Sequence, residues 1–162
     1  MNNKSTYTLA EANHFFAIEY NNYVWQMIGK PDRTPEEDEE MINAAHASLL
    51  HWSKSHKGSI VNIQRGEFMV ALVYTYSGRK DNALHHARRC WQITQDNLNQ
   101  MKGFDVSYAH SVLARAYALS GNQAGFTDHY TKAKETGQQI EKEGDKKLFL
   151  EDLVSGPWYN ML

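Results

Sequence analysis

The stretch Asn43-Ala-Ala-His-Ala-Ser-Leu-Leu-His-Trp52 is repeated in outline as Asn82-Ala-Leu-His-His-Ala-Arg-Arg-Cys-Trp91. The two stretches share Asn, Ala, His and Trp at the same places and lie 39 residues apart. Self-similarity at a period of this size is typical of proteins built from stacked helix pairs. Such proteins present extended surfaces, so the repeat predicts an architecture and not a specific ligand.

Composition and the placement of proline favour an all-α fold. The chain has 162 residues, of which 41% are hydrophobic and 22% charged, which is the balance of one ordinary globular domain. Only three prolines occur, at positions 31, 35 and 157, so long segments remain uninterrupted. Because no strand-like alternation bounded by turn residues stands out, we predict a single all-α domain over residues 1–162.

Glycine and proline divide the chain into about seven predicted helices. The clearest start is Thr34-Pro35-Glu36-Glu37, which combines an N-cap threonine, a proline at the first helical position and the glutamate of a capping box. The predicted helices cover residues 9–28, 35–55, 59–77, 80–101, 105–120, 122–142 and 146–154. They form three antiparallel pairs, about 9–55, 59–101 and 105–142, followed by a C-terminal cap at 146–162.

Charge and cysteine content restrict the class of partner. The formal net charge is -2 and the pI is near 6.4, so no excess of cations is present to neutralise phosphates, and we predict no nucleic-acid partner. No run of about eighteen apolar residues occurs, which predicts no membrane partner. The single Cys90 excludes an intramolecular disulfide, and Met1–Thr8 is polar, without an export segment. We therefore predict a cytoplasmic protein.

The third predicted helix has no polar side over Phe68-Met-Val-Ala-Leu-Val-Tyr74. A helix of this kind has to be covered from several directions. It therefore either lies at the centre of the stack or lines a groove that a partner fills, and the sequence leaves both alternatives open.

Two of the predicted pairs resemble tetratricopeptide (TPR) repeats. One pair reads Val70-Ala71-x-x-Tyr74-x-x-x-Gly78, and the other reads Leu113-Ala114-x-x-Tyr117-x-x-x-Gly121. In each, a small residue lets the paired helices approach, a tyrosine three residues later fills the space beside it, and a glycine ends the helix. The resemblance implies a TPR-like α–α solenoid, which is a short stack of helix pairs with a concave face.

The chain departs from the standard TPR pattern in spacing and in two residues. Gly78 and Gly121 are 43 residues apart, whereas the TPR period is about 34, so the helices have to be longer. Phe126 stands where a small residue is usual, and Glu67 stands where a large apolar residue is usual. "TPR-like" is therefore the appropriate description.

A closer resemblance is to a group of uncharacterised bacterial TPR-like proteins, and it covers roughly residues 40–155. It is carried by Arg65-Gly-Glu-Phe68, Leu84-His-His-Ala-Arg-Arg-Cys90, Phe104-Asp105 and the segment from Ala109-His110 to Ala118. This resemblance implies a fold and supplies no activity.

The TPR resemblance also implies where a partner binds. In TPR repeats the first helix of each pair lines the concave face, chiefly at the second, fifth and ninth motif places. Carried onto this chain, these places are Arg65, Phe68, Leu72, Tyr108, Ser111 and Arg115. An aromatic and aliphatic strip between two arginines suits an extended peptide that has an acidic group. The alternative is that some of these residues, particularly Phe68 and Leu72, belong to the core.

A second group of candidates is a polar cluster around Glu67. Its members are Glu67, His85, His86, Arg88 and Arg89. Because a carboxylate is costly to bury unless it is paired, we predict that Glu67 is at least half buried and contacts Arg88, Arg89 or a histidine. The cluster is either a structural clamp between two helices or an anion-binding or catalytic site.

Cys90 and His86 lie one helical turn apart, which is the spacing of two metal ligands or of an activated thiol. No motif places a further ligand beside them. Cys90 also takes the place of a small buried residue in the repeat, where a thiol is inert. We therefore predict no metal, no cofactor and no catalytic residue.

The tail Gly156-Pro-Trp-Tyr-Asn-Met-Leu162 is unusually apolar and is expected to pack. It covers either the last helix or a second copy in a homodimer. The leading functional hypothesis is a non-enzymatic module that binds a protein or peptide partner on the concave face. The alternative is a small-molecule or metal-binding protein, or an enzyme, that uses the polar cluster around Glu67.

Overall fold

A computed structural model describes residues 7–162, and every regular element within them is helical. The helices are α1 Leu9–Ile28, α2 Pro35–Lys54, α3 Ile60–Tyr76, α4 Lys80–Asp96, α5 Gly103–Leu119, α6 Gln123–Gln138 and α7 Glu143–Ser155. A short 3₁₀ turn, Leu98–Gln100, follows α4. The all-α prediction is confirmed, whereas residues 1–6 of the polar N-terminal segment lie outside the described residues.

Consecutive helices pack as antiparallel pairs, α1 with α2, α3 with α4 and α5 with α6. In the first pair the Ser48 hydroxyl of α2 donates to the carbonyl oxygen of Ala17 in α1 at 2.8 Å. The pairs follow one another in sequence order, because α2 packs on α3 and α4 packs on α5. Helices α3 and α5 also contact each other directly.

Local capping explains where several helices begin and end. The capping box at the start of α2 is present, since the Glu37 carboxylate accepts from the Thr34 N–H at 2.9 Å. Helices α3 and α5 end in the same way, at Gly78 with φ +70° and at Gly121 with φ +75°. Glycine adopts this left-handed conformation without the steric penalty of a Cβ.

The centre of the molecule is built by α3 and α5. Every residue is buried from Gly66 to Thr75 in α3, and every residue is buried from Ala109 to Ala116 in α5. Because α3 contacts α2, α4 and α5, it is covered on several sides, as its continuous apolar run predicts. Because both helices are buried, the side chains that they present to the surface are held in fixed positions.

Three helix boundaries differ from the prediction by more than two residues, and one of them is the start of α7, at Glu143 instead of 146. Helix α4 ends at Asp96 instead of 101, where the Asn97 side-chain amide donates to the Ile93 carbonyl at 2.9 Å. Helix α6 ends at Gln138 instead of 142, and near this end α7 crosses so closely beside Gly137 that the Phe149 ring leaves no room for a Cβ there.

The end of the chain covers the third pair. Phe149 of α7 is buried in a cluster with Phe126 of α6. Trp158 packs on the same cluster, with its ring centroid 5.7 Å from that of Phe126 and 5.0 Å from that of Tyr130. Of the two alternatives for the tail, the structure therefore shows packing on its own chain.

The tail also reaches α3 and α5. The Arg115 guanidinium of α5 donates to the backbone carbonyls of Gly156 and Asp152 and lies 4.5 Å from the centre of the Trp158 ring. Tyr76, at the end of α3, donates its hydroxyl proton to the Gly156 carbonyl at 3.3 Å. The Tyr159 hydroxyl donates to the carbonyl of Thr75.

Candidate functional site

A cavity of about 450 Å³ opens among α1, α3, α5 and α7. The first helix of each of the three pairs contributes to its lining, together with α7. Its lining residues are Asn21, Trp25, Gln64, Arg65, Phe68, Met69, Phe104, Asp105, Tyr108, Leu148 and Asp152. We call this space the concave cavity.

Aromatic rings form the floor of the concave cavity. Phe68 of α3 and Tyr108 of α5 meet edge to face with centroids 5.2 Å apart, and Tyr108 meets Phe149 in the same manner at 4.9 Å. Edge-to-face packing holds each ring in one orientation. The exposed part of the wall is supplied by Trp25 and Leu148, which are 42% and 56% exposed. The cavity is therefore mostly apolar and open to solvent.

Two polar contacts border the concave cavity. The Arg65 guanidinium pairs with the buried Asp105 carboxylate at 2.8 Å and lies 4.8 Å from the centre of the Phe104 ring. The side chain of Arg65 is nevertheless 43% exposed. On the other side, the Tyr108 hydroxyl donates to Asp152 at 2.5 Å. Burial, together with this hydrogen bond, raises the pKa of Tyr108, so the phenol stays protonated.

Three of the six predicted groove residues line the concave cavity, namely Arg65, Phe68 and Tyr108. Leu72 is 5% exposed and belongs to the core, as the alternative interpretation anticipated. Ser111 is 2% exposed and donates to the Tyr108 carbonyl at 2.9 Å.

The prediction that Arg115 borders an open groove is wrong. Arg115 is 4% exposed, because α7 and the tail lie over it and its guanidinium binds their carbonyls. Burial lowers the pKa of Arg115, and the neighbouring Tyr76 and Asp152 oppose this effect. The second predicted arginine therefore anchors the tail.

The predicted environment of Glu67 is confirmed. Glu67 is 3% exposed, and its two carboxylate oxygens accept separately from His86 Nδ1 at 2.7 Å and from Arg89 Nε at 2.6 Å. Burial by itself would raise the pKa of Glu67, but the hydrogen bonds from His86 and Arg89 outweigh it and lower the pKa. Glu67 is thus a charged clamp between α3 and α4.

His85 and Arg88 lie outside this clamp. Both are exposed on α4 and border a shallow depression with Arg89. Successive helical residues differ by about 100° in direction, so His86 faces α3 whereas His85 faces solvent. The predicted contact of Glu67 with Arg89 or a histidine is therefore present, and the histidine is His86 instead of His85. The Arg88 guanidinium lies 6.0 Å from the Tyr117 ring centre.

Cys90 is fully buried, and burial raises the pKa of its thiol, so no thiolate forms near neutral pH. His86 Nδ1 is already engaged by Glu67. Within residues 7–162, no group of three or more histidine, cysteine or carboxylate side chains is arranged to hold a metal ion.

A buried histidine pair was not predicted. His110 of α5 and His129 of α6 share a hydrogen bond between their Nδ1 atoms at 3.0 Å, and Trp91 lies 4.3 Å from the His110 ring centre. Burial first, and then the nearby His129, lowers the pKa of His110 to about 4. The signal was present in the spacing, since His110 and His129 follow Glu67 and His86 by 43 residues.

None of the helices between residues 7 and 162 has the length and apolar character needed to cross a lipid bilayer. Comparison with protein-family models, with curated proteins and with solved structures gives no match.

Proposed function

We propose that this protein is a TPR-like helical-repeat module that binds a short peptide segment of a partner protein on its concave face. The observation that carries the proposal is the open, mostly apolar concave cavity, built by the first helices of the three pairs. An apolar anchor side chain of the segment would enter this cavity, and an acidic group would meet Arg65.

The repeat interpretation is supported by the likeness between the second and third pairs. After Gly78, the Arg79 N–H donates to the carbonyl of Tyr74 at 2.9 Å, and after Gly121, the Asn122 N–H donates to the carbonyl of Tyr117 at 2.9 Å. The same turn thus recurs with the 43-residue offset. Repeated units that stack in sequence order are the basis of α-solenoids.

The size and surface of the concave cavity suit a peptide anchor. About 450 Å³ falls within the range of ligand sites and is enough for a large side chain such as that of tryptophan, leucine or phenylalanine. Buried aromatic anchors commonly supply most of the binding energy at such interfaces. Trp25 and Leu148, both partly exposed, would close over the anchor.

Arg65 supports the choice of an acidic neighbour in the ligand. Its guanidinium uses Nε and Nη2 in binding Asp105, at 2.8 and 3.4 Å. Because an arginine has five N–H donors and this side chain is 43% exposed, the remaining donors are available to a carboxylate.

The site is short because its far end is covered. The cavity is lined by residues 64–69 of α3 and 104–108 of α5, which are the N-terminal halves of these helices. Farther along the same helix, α7 and the tail lie over Arg115, and Ser111 is buried as well. A bound segment would therefore engage a few residues instead of running the length of the stack.

The small-molecule, metal or enzyme alternative depends on the cluster around Glu67. Both oxygens of that carboxylate are engaged by His86 and Arg89. The geometry therefore favours the structural clamp over a ligand site at this cluster.

The proposal can be tested with a displayed library of random peptides. Peptides selected on the wild-type protein should contain a large apolar residue close to Asp or Glu, and their affinity can be measured by fluorescence anisotropy. Leu148→Trp fills the mouth of the cavity and should raise Kd at least about tenfold, a loss of roughly 1.4 kcal/mol.

Val154→Trp provides the matched control. Val154 lies on the same helix, is 71% exposed and does not line the cavity, so its substitution should change Kd less than about twofold. A library that yields no binder, or binders that Leu148→Trp does not weaken, would contradict the proposal.

A further inference from the structure

A second groove lies between α1 and α2, and we call it the end groove. It has a volume of about 540 Å³ and is separate from the concave cavity. Its lining residues are Phe15, Phe16, Glu19, Tyr20, Tyr23, Glu40, Asn43, Ala44 and Ala47.

The end groove faces away from the rest of the stack. Leu49 of α2 packs against Gly66 of α3, where an added Cβ would lie 2.6 Å from the Leu49 side chain. Ala47 precedes Leu49 by two residues, which turns it about 200° around the helix axis, to the opposite side of α2. The groove therefore lies at the end of the stack opposite α7, and no other helix within residues 7–162 packs over it.

The shape of the end groove, with aromatic walls and a shallow floor, suits the docking of a third helix. Phe15 and Phe16 are 54% and 42% exposed, and the Phe16 ring stacks on Tyr20 with centroids 6.1 Å apart. Ala44 and Ala47 keep the floor shallow, so another helix backbone can come close. End units of repeat arrays usually present a polar outer face, and exposed aromatic residues at this place instead mark an interaction surface.

The two helices that form the end groove are acidic. Helices α1 and α2 together contain seven carboxylates and one lysine, although the whole chain has a net charge of only -2. Glu37, Asp38 and Glu39 are paired with Lys30, Arg33 and Arg79. Glu19 and Glu40, which line the groove, form no ion pair within residues 7–162.

We infer that the end groove binds an amphipathic helix of a partner protein whose apolar stripe is flanked by lysine or arginine. The apolar stripe would cover Phe15, Phe16 and Tyr20, and the flanking cations would meet Glu19 and Glu40. A second copy of this chain fits less well, because a two-fold contact through this face would place acidic helices against each other. The inference is independent of the concave cavity.

The test uses two synthetic helical peptides of matched length. Both have leucine on one face, and the flanking positions are lysine in the first peptide and glutamate in the second. Fluorescence anisotropy should show binding of the lysine peptide, weakening with added salt, and no binding of the glutamate peptide. Glu19→Lys/Glu40→Lys should raise Kd for the lysine peptide at least about tenfold.

Glu135→Lys/Glu141→Lys is the matched control, since it makes the same change in net charge with two exposed residues at the other end of the molecule. It should leave Kd within about twofold of wild type, as should Leu148→Trp in the concave cavity. Circular dichroism establishes that each variant is folded.

Three results would overturn the inference. They are failure of the wild-type protein to bind the lysine peptide, equal weakening by the two charge reversals, and a wild-type dimer in sedimentation velocity that Phe16→Ser converts to monomer. The last result would assign the groove to a second copy.

Discussion

The interfaces of the second and third helix pairs have the same geometry and opposite chemistry. Between α3 and α4, Glu67 meets His86 at 2.7 Å. Between α5 and α6, at positions 43 residues later, His110 meets His129 at 3.0 Å. In both pairs a tyrosine of the first helix stacks on the histidine of the second helix. The centroids are 5.7 Å apart for Tyr74 on His86 and also for Tyr117 on His129.

The comparison teaches that the second and third helix pairs share a place for a polar pair and differ in its charge. In the second pair Arg89 helps to keep Glu67 ionised, because its hydrogen bond lowers the pKa of that carboxyl group. In the third pair burial keeps His110 neutral, since its pKa falls to about 4. The two interfaces should therefore respond differently to mutation and to acid.

The largest effect is expected from breaking the second-pair clamp. Glu67→Ala removes the shared acceptor of His86 and Arg89 and leaves a small cavity, so the free energy of unfolding should fall by about 3 kcal/mol at pH 7.5. Urea denaturation followed by circular dichroism measures this loss. Glu135→Ala, at an exposed site on α6, should stay within about 0.5 kcal/mol of wild type. A loss below about 1 kcal/mol for Glu67→Ala would show that the carboxylate is not a clamp.

The second-largest effect is expected from acid, which destabilises the third pair through His110. The pKa of His110 is about 4 in the folded protein and 6.5 as the ordinary value. Because the folded value is the lower one, the unfolded chain takes up protons first as the pH falls. The stabilising contribution of neutral His110 is therefore complete above about pH 6.5 and is lost as the pH falls to about 4. Between pH 7.5 and 5 this histidine alone should reduce the free energy of unfolding by about 2 kcal/mol.

Urea denaturation at several pH values checks the acid effect. His110→Gln removes the titrating group and should flatten the dependence between pH 6.5 and 5. His85→Gln makes the same substitution at an exposed position and should leave the dependence unchanged. An unaltered slope in His110→Gln would contradict the assignment. Glu67, whose pKa is lowered, contributes stability that is lost only at still lower pH, below its ordinary range.

The smallest effects are expected from removing the cation beside each polar pair, Arg89 in the second pair and Lys132 in the third. Arg89 binds the buried Glu67, whereas Lys132, 43 residues later, pairs at 2.7 Å with Asp128 on its own helix. Arg89→Gln should cost about 1 kcal/mol, because the arginine is more than half exposed and His86 still hydrogen-bonds the carboxylate. Lys132→Gln should cost less than about 0.5 kcal/mol, as exposed pairs of this spacing do. Equal losses of unfolding free energy in the two variants would show that the two cations do not differ in their contribution to stability.

Much of the fold could be predicted because its signals are local. The Thr34-Pro35 start and the glycines at 78 and 121 act within one helical turn, and the corresponding boundaries agree with the structure to within one or two residues. The end of α6 could not be predicted in this way. It lies where α7 packs against Gly137 through Phe149, a residue of the next helix.

The candidate sites were predicted less completely. Burial and pairing of Glu67 followed from the cost of an isolated charge, but the choice between His85 and His86 required the register of α4. Arg115 was misassigned because the residues that cover it lie about forty positions later in the chain. The aromatic end groove was not predicted, because the sequence alone does not tell which side of α1 faces the stack, and Phe15 and Phe16 lie on the exposed side.

The tail changes how the array is expected to come apart. In a simple solenoid each unit touches only its neighbours, so the terminal unit can fray while the others remain intact. Here the tail joins Thr75 and Tyr76 at the end of α3 to Arg115 in α5 and to Tyr130 in α6. Release of the third pair therefore also releases contacts of the second. We therefore expect the two pairs to open as one cooperative unit, so that their amide protons exchange with solvent through a common opening.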